Sequence, residues 1–510
     1  MIELSGKRLE LRDLVAVARD SAEVTLTDDA RETMAEGAAI VQRLVGSDEP
    51  VYGVSTGFGS LAAMPVPAER RQELQRALIR SHAAGMGAVV EREAVRAMML
   101  LRARTLAMGY SGARPEVAEA ILALLNAGLT PVVPEHGSLG ASGDLAPLAH
   151  CALALIGEGE VFGLEGEPLA AGEALHATGI EPLTLTAKEG LALINGTDGI
   201  LGMLVLAIED LGMLVRVADV TAAMSVEALL GTDRAFAQDL IALRPQPGQA
   251  ASAANLRRLL DGSQVVASHR ENDPRVQDAY SLRCAPQVNG AARDTLAHTR
   301  RVAEAELASA IDNPMILPDG RVESCGNFHG APVALACDFL AITCAELGAI
   351  AERRTDRLLD ATRSYGLPPF LAKEPGINSG LMLAQYTQAA MVAENRRLAA
   401  PASVDSLPTS AMQEDHVSMG WGAARKLRVS VANLERILAV ELACAARGLD
   451  LRAPILPGPG TGTALAALRA AGVPGPGPDR WLAPELVAAE RLVASGDLIM
   501  AVQGRIGELE

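Results

Sequence analysis

The chain has 510 residues, 49% of them hydrophobic but only 3% aromatic, and a formal net charge of -17. Its length exceeds one ordinary core, which predicts two or more lobes or one lobe of very long helices, and an alanine-rich, aromatic-poor mixture favours close-packed helices over sheets. An acidic balance without a long basic run excludes a nucleic-acid backbone as partner, because that partner needs clustered Lys and Arg.

Along the chain, the opening "MIELSGKRLELRDL" alternates charged and apolar residues and lacks the apolar run of a signal peptide. Up to about residue 195 the pattern is broken into short helices and glycine-rich loops, among them "YGVSTGFGSL" (52–61) and "GSLGASGDLAP" (137–147). A coarse boundary near Asn195–Gly196 separates an N-terminal lobe, 1–195, from a long-helix region, 196–510. The apolar stretch 199–230 imitates a membrane span, but Glu209, Asp210, Arg216 and Asp219 interrupt it, so it reads as a helix buried in a bundle.

A helix is expected over 287–311, stopped by "DNP", and another over 332–360. In the latter, Val333, Cys337, Leu340, Cys344, Leu347 and Ala351 step by fours and threes along one seam. A further helix is expected over 416–447. Helices of this length predict a large bundle, built from several chains.

"PILPGPGTGT" (454–463) lacks the ending of a phosphate-binding loop and reads as a loop entering a helix. The six cysteines (151, 284, 325, 337, 344, 444) form no CxxC pair, and the eight histidines show no HExxH spacing. Buried thiols in a reducing cytoplasm are expected, with no metal site and no membrane.

Taken singly, the unusual loops read as glycine turns, helix caps and solvated polar faces. They are "YGVSTGFG", "GSLGASGDLAPLAH", "KEGLALINGT", "YSLRCAPQ", "GNFHG" and "QEDHVSM". Together and in this order, they resemble the aromatic amino acid ammonia-lyase family over nearly the whole chain.

That resemblance implies a mainly α-helical, fumarase-like long-helix bundle with a smaller N-terminal lobe, assembled as a homotetramer. It also implies that Ala141, Ser142 and Gly143 cyclise to 4-methylidene-imidazol-5-one (MIO), an electrophile made without an external cofactor. The residue types suit that chemistry. Gly143 offers an amide nitrogen with no side chain to crowd closure on the Ala141 carbonyl carbon, and Ser142 carries a β-hydroxyl that can leave as water.

By the same resemblance, Tyr52 is the candidate base and Tyr280 a second proton-handling group, roles that could be exchanged. Arg283 is expected to hold the α-carboxylate with its planar fork. Asn195 would steady the MIO oxygen or the carboxylate, Gln277 would add a polar contact, and Phe328 would form an apolar wall. His82 and Glu414 stand where phenylalanine-type members carry apolar or amide residues. A buried carboxylate facing a benzene ring would be left unpaired, so the expected small-molecule substrate is L-histidine, losing ammonia to give trans-urocanate.

The alternative is the same chemistry, or a 2,3-aminomutase, acting on tyrosine or phenylalanine. A non-catalytic helical scaffold is opposed by the intact triad, both tyrosines and Arg283. Ala279, Ser55 and Asp198 depart from residues frequent in the family, and none of them touches the triad.

Overall fold

In the computed structural model, the described residues are 1–45, 53, 56–57, 64–163, 166–273 and 275–510. The protein is mainly α-helical, and it divides into two compact units built from interleaved stretches. The first joins Met1–Leu206, Arg300–Asp338 and Pro401–Arg425, and the second joins Ala207–Thr299, Phe339–Ala400 and Lys426–Glu510.

In the first unit, small sheets pin the loops between short helices. Ile2–Leu4 pairs in parallel with Val24–Leu26, and Met86–Val89 pairs antiparallel with Pro134–His136, placing Met86 opposite His136. Thr130–Pro131, Glu160–Phe162 and Pro168–Ala170 form a three-stranded antiparallel sheet.

The core helix of this unit, Arg92–Ala107, is buried on nearly every face although it carries three buried arginines. Each guanidinium is spent on backbone carbonyls in the last turn of a helix or beyond its end. Arg96 donates to Val17 O and Leu125 O, Arg102 to Asn195 O and Ile311 O, and Arg104 to Ser309 O and Glu306 O.

Those bonds explain a difference from the sequence expectation. The helix expected over 287–311 is Ala285–Glu306. The carbonyls of Glu306, Ser309 and Ile311 accept guanidinium donors, and the chain leaves the helix before the "DNP" turn.

The second unit is dominated by long helices. Asp198–Ala228 enters it at Ala207, Ala331–Leu359 at Phe339 and Gly420–Asp450 at Lys426; Met382–Leu398 lies wholly within it. The seam anticipated on Ala331–Leu359 is buried at all six positions. The polar groups around Glu441 are satisfied as a set: Thr221 Oγ1 and Ser225 Oγ each donate to it at 2.8 Å, and Arg354 Nη2 donates to it at 2.9 Å. Among the described residues, Ala331–Leu359 is long and apolar enough to cross a membrane, with 67% of its apolar window buried in the protein.

Candidate active site

The loop from Gly137 to Asp144 leaves a short strand and enters the helix Leu145–Leu155. Ser142 and Gly143 follow each other in left-handed backbone conformations, with φ of 53° and 83°. Such a pair is costly for a serine and persists only when the surroundings over-determine it. A side chain on Gly143 would run into the backbone of Gly196, so glycine is required there by space as well as by φ.

The surroundings do fix the loop. Asp144 N–H donates to Gly196 O at 2.6 Å, Gly330 N–H to Gly140 O at 3.0 Å, Ser418 Oγ to Gly140 O at 2.7 Å and Met419 N–H to Leu139 O at 2.8 Å. The last two come from 416–419, expected as helix but here non-helical. The helix begins at Gly420 because that segment is spent on docking to the triad loop.

Asp144 anchors the other side. Its Oδ2 accepts from Gly199 N–H (2.9 Å) and Ile200 N–H (3.0 Å), satisfying orphan donors in the first turn of Asp198–Ala228, while Oδ1 accepts from Ser138 Oγ at 2.8 Å. Burial pushes its carboxyl up to about 7, against the opposing pull of these donors.

Asn195 closes the helix Glu189–Ile194 and precedes Gly196. It is 2% exposed, and its Oδ1 has no hydrogen-bond partner among the described residues. Its Nδ2 donates to Asp312 Oδ1 (3.2 Å) and Asn313 O (2.9 Å). Asp312 in turn pairs with Lys188 at 2.9 Å in a fully buried ion pair. Sequence reading passed over Lys188 and Asp312, although "KEGLALINGT" and "DNP" had both been singled out; the signal available was a charged residue inside each otherwise apolar stretch.

The same unit brings His82 and Glu414 together. His82 ends the helix Arg71–His82, and its Nδ1 lies 2.9 Å from Leu78 O. A carbonyl only accepts, so Nδ1 carries the hydrogen and Nε2 is left with a lone pair. Burial lowers the His82 pKa, partly opposed by the Leu78 carbonyl and by the charge of Glu414. Glu414 is held by Thr409 Oγ1 at 2.9 Å and by paired backbone bonds with Thr409. Phe328 sits half-buried in the turn 326–330, whose His329 ring stacks on that of His416 at 5.8 Å and 3°.

Gln277, Tyr280 and Arg283 belong to the second unit. Gln277 is exposed and Tyr280 is 71% exposed, at the start of the single turn Tyr280–Arg283. The Arg283 guanidinium lies over the Tyr280 ring at 4.6 Å, and its Nε donates to Asp278 O at 2.9 Å. Tyr52 and Ser55 lie outside the described residues.

Consecutive left-handed residues, a loop hydrogen-bonded on both sides and a cradle that admits only glycine at 143 suit a self-cyclising triad, and the residues present fit MIO. A comparison with known families matches residues 9–470 to the model described as aromatic amino acid lyase. The chain is similar to a histidine ammonia-lyase of Streptomyces griseus, 62% identical over 100% of this chain and 99% of that one. It is also similar to one of Streptomyces avermitilis, 60% identical over 98% and 97%.

Among solved structures, histidine ammonia-lyase from Trypanosoma cruzi superposes with a TM-score of 0.90 at 39% identity, covering 99% of this chain and 95% of that one. A tyrosine aminomutase from Streptomyces globisporus gives 0.94 at 37% identity, covering 100% of both.

Proposed function

Because the chain belongs to the aromatic amino acid lyase family, we propose that it is a carbon–nitrogen lyase that removes ammonia from L-histidine and releases trans-urocanate. The observation that carries this reading is identity of 60% or more, over essentially the whole chain, with relatives named for that activity. The presence of His82 and Glu414 in one unit, with the Glu414 charge felt at His82, supports it: a lone pair on His82 Nε2 and a carboxylate both accept hydrogen bonds, which suits an imidazole N–H and not a benzene ring.

The proposal includes self-processing. The Gly143 amide nitrogen bonds to the Ala141 carbonyl carbon, whose oxygen leaves as water with the hydrogens of the Gly143 and Ser142 nitrogens, and a double bond forms between that carbon and the Ser142 nitrogen. Ser142 then loses its Cα proton and its hydroxyl as a second water. The bonds from Asp144 N–H to Gly196 O and from Ser418 Oγ to Gly140 O restrain the loop, which supports this reading. The finished ring supplies an electrophilic methylidene carbon, a reactivity natural side chains lack.

The remaining roles fall to the chain's own side chains. Tyr52 takes the β-proton and Tyr280 handles the second proton. Arg283 grips the α-carboxylate, Gln277 adds a polar contact, and Phe328 walls the aromatic ring.

Exposed apolar side chains such as Phe339, Ile342, Leu383 and Tyr386 support assembly as a homotetramer, and free cysteines support a cytoplasmic enzyme. A second reading, an aminomutase, is favoured by the tyrosine aminomutase superposition. The test is to incubate purified protein with histidine, tyrosine and phenylalanine and identify the products. Urocanate and free ammonia are expected from histidine, whereas a β-amino acid would establish the second reading. Size measurement in solution checks the tetramer.

A further inference from the structure

Asn195 stands among the residues assigned to the substrate, and the structure limits what it can offer. Its Nδ2 carries two hydrogens, and both are committed, one to Asp312 Oδ1 and one to Asn313 O. A carboxylate and a peptide carbonyl are acceptors only. Turning the amide end for end would set its oxygen against both of them, so chemistry fixes which atom faces which way.

What remains is Oδ1, a buried carbonyl oxygen without a partner among the described residues. The arrangement is held from three sides. Asp312 Oδ2 takes Lys188 Nζ at 2.9 Å, Asp312 Oδ1 also takes Asn313 N–H at 2.7 Å, and Arg102 Nη1 holds the Asn195 backbone carbonyl at 2.8 Å. Lys188 itself sits at φ 68°, a left-handed conformation that a lysine keeps only under such constraint.

We infer that Asn195 meets the reacting amino acid as a hydrogen-bond acceptor for its α-ammonium group, and that Lys188 and Asp312 are positioning residues that hold the amide this way round. The inference rests on the lyase reading above and goes beyond it. An acceptor cannot serve the substrate carboxylate or the MIO oxygen, which are acceptors themselves. Of the donors on histidine, the imidazole N–H is assigned to His82 and Glu414, which leaves the ammonium.

Urocanate provides the test, because it keeps the imidazole and the carboxylate but has no amine. In Asn195→Ala and in Asp312→Asn, kcat/KM for histidine is expected to fall roughly tenfold to a hundredfold, the range of a hydrogen bond to a charged group. The inhibition constant of urocanate should stay within about twofold, because the groups it retains do not bond to Asn195. In Asp312→Asn the new carboxamide can donate to Asn195 Oδ1, so one of the two acceptors that fix the amide is lost and only Asn313 O still opposes the turn.

Intact mass should still show the loss of two waters in both variants. If either variant fails to cyclise, the same comparison is made by calorimetric binding of histidine and urocanate in a Ser142→Ala background, where no protein carries the ring. Parallel weakening of urocanate would assign Asn195 to the carboxylate and overturn the inference. Unchanged histidine kinetics in Asp312→Asn would reduce the Lys188–Asp312 pair to a structural contact. Should the unsubstituted protein prefer another amino acid, the lyase assignment to histidine fails separately, and the same ratio is read with that amino acid and its deaminated product.

Discussion

Two of the segments proposed to serve the reaction are built in opposite ways. Around Ala141–Gly143 the backbone is strained, buried and hydrogen-bonded to Gly196, Gly330, Ser418 and Met419, all within the first unit. The Gln277–Arg283 segment of the second unit presents an exposed Gln277 and a largely exposed Tyr280, and its ring and guanidinium rest on each other. The contrast accords with the roles proposed for the two segments. A reaction between atoms of one chain needs a fixed geometry from the moment of folding, whereas side chains that close on a diffusing substrate can be held more loosely before it arrives.

The largest expected effect breaks the buried side. Ser142→Ala removes the leaving hydroxyl and little packing, so the protein should fold and keep its full uncyclised mass. Turnover should fall by roughly 10⁵-fold, most of the smallest acceleration typical of enzymes. A Ser142→Ala protein still lighter by two waters would show that the triad is not the source of the electrophile.

Next is the rim of the same unit. Replacing His82 with Leu and Glu414 with Gln removes the acceptors that the geometry brings together. kcat/KM for histidine should drop by up to about 10⁴-fold, because a site built to hydrogen-bond a group discriminates far more than apolar fit does. Assaying histidine and phenylalanine side by side decides it, and an unchanged preference would move specificity elsewhere.

Arg283→Lys probes the open side. Charge is kept but the two-pronged grip is lost, so kcat/KM should fall roughly tenfold to a hundredfold while the mass loss of two waters is retained. Near-normal kinetics would assign the carboxylate to another residue. A failure to cyclise would contradict the division of labour between the two segments.

How much of this was legible beforehand depends on range. The seam from Val333 to Ala351 is a local periodicity, and all six residues are buried as it required. The triad and Glu414 were visible as residue types in short distinctive segments, and His82 only through the family resemblance. The ends of the helices were not, because they are set by partners distant in the chain: Arg102 and Arg104 draw off the carbonyls of 306–311, and the triad loop draws off 416–419. Which atom Asn195 presents was equally hidden, since it is decided by Asp312, 117 positions away. Nor does periodicity announce that each compact unit is assembled from three separated stretches, because a helix such as Asp198–Ala228 reads as continuous while belonging partly to each.

The last effect concerns stability and not catalysis, and it lies in the carboxyl that ties the buried side together. Asp144 titrates near 3.8 when unfolded, and burial raises it to about 7 in the folded chain. Below about pH 4 both states are protonated and the shift contributes its full stabilisation. Between about pH 4 and pH 7 the unfolded chain releases the proton while the folded chain keeps it. The folded state then binds more protons, and stability falls as pH rises, by at most about 4 kcal/mol across the window. In Asp144→Asn the amide oxygen can still accept from Gly199 and Ile200, and the amide nitrogen can donate to Ser138 Oγ, so the anchoring persists without a titrating group. Melting temperatures of the two proteins, taken in parallel from pH 4 to pH 8, should therefore diverge in favour of the variant up to pH 7 and run level above it. Contributions from all other carboxylates cancel in that difference. If the two curves stay parallel throughout, the three donors facing Asp144 outweigh its burial, and the carboxyl is ionised in the folded protein as it is in the unfolded one.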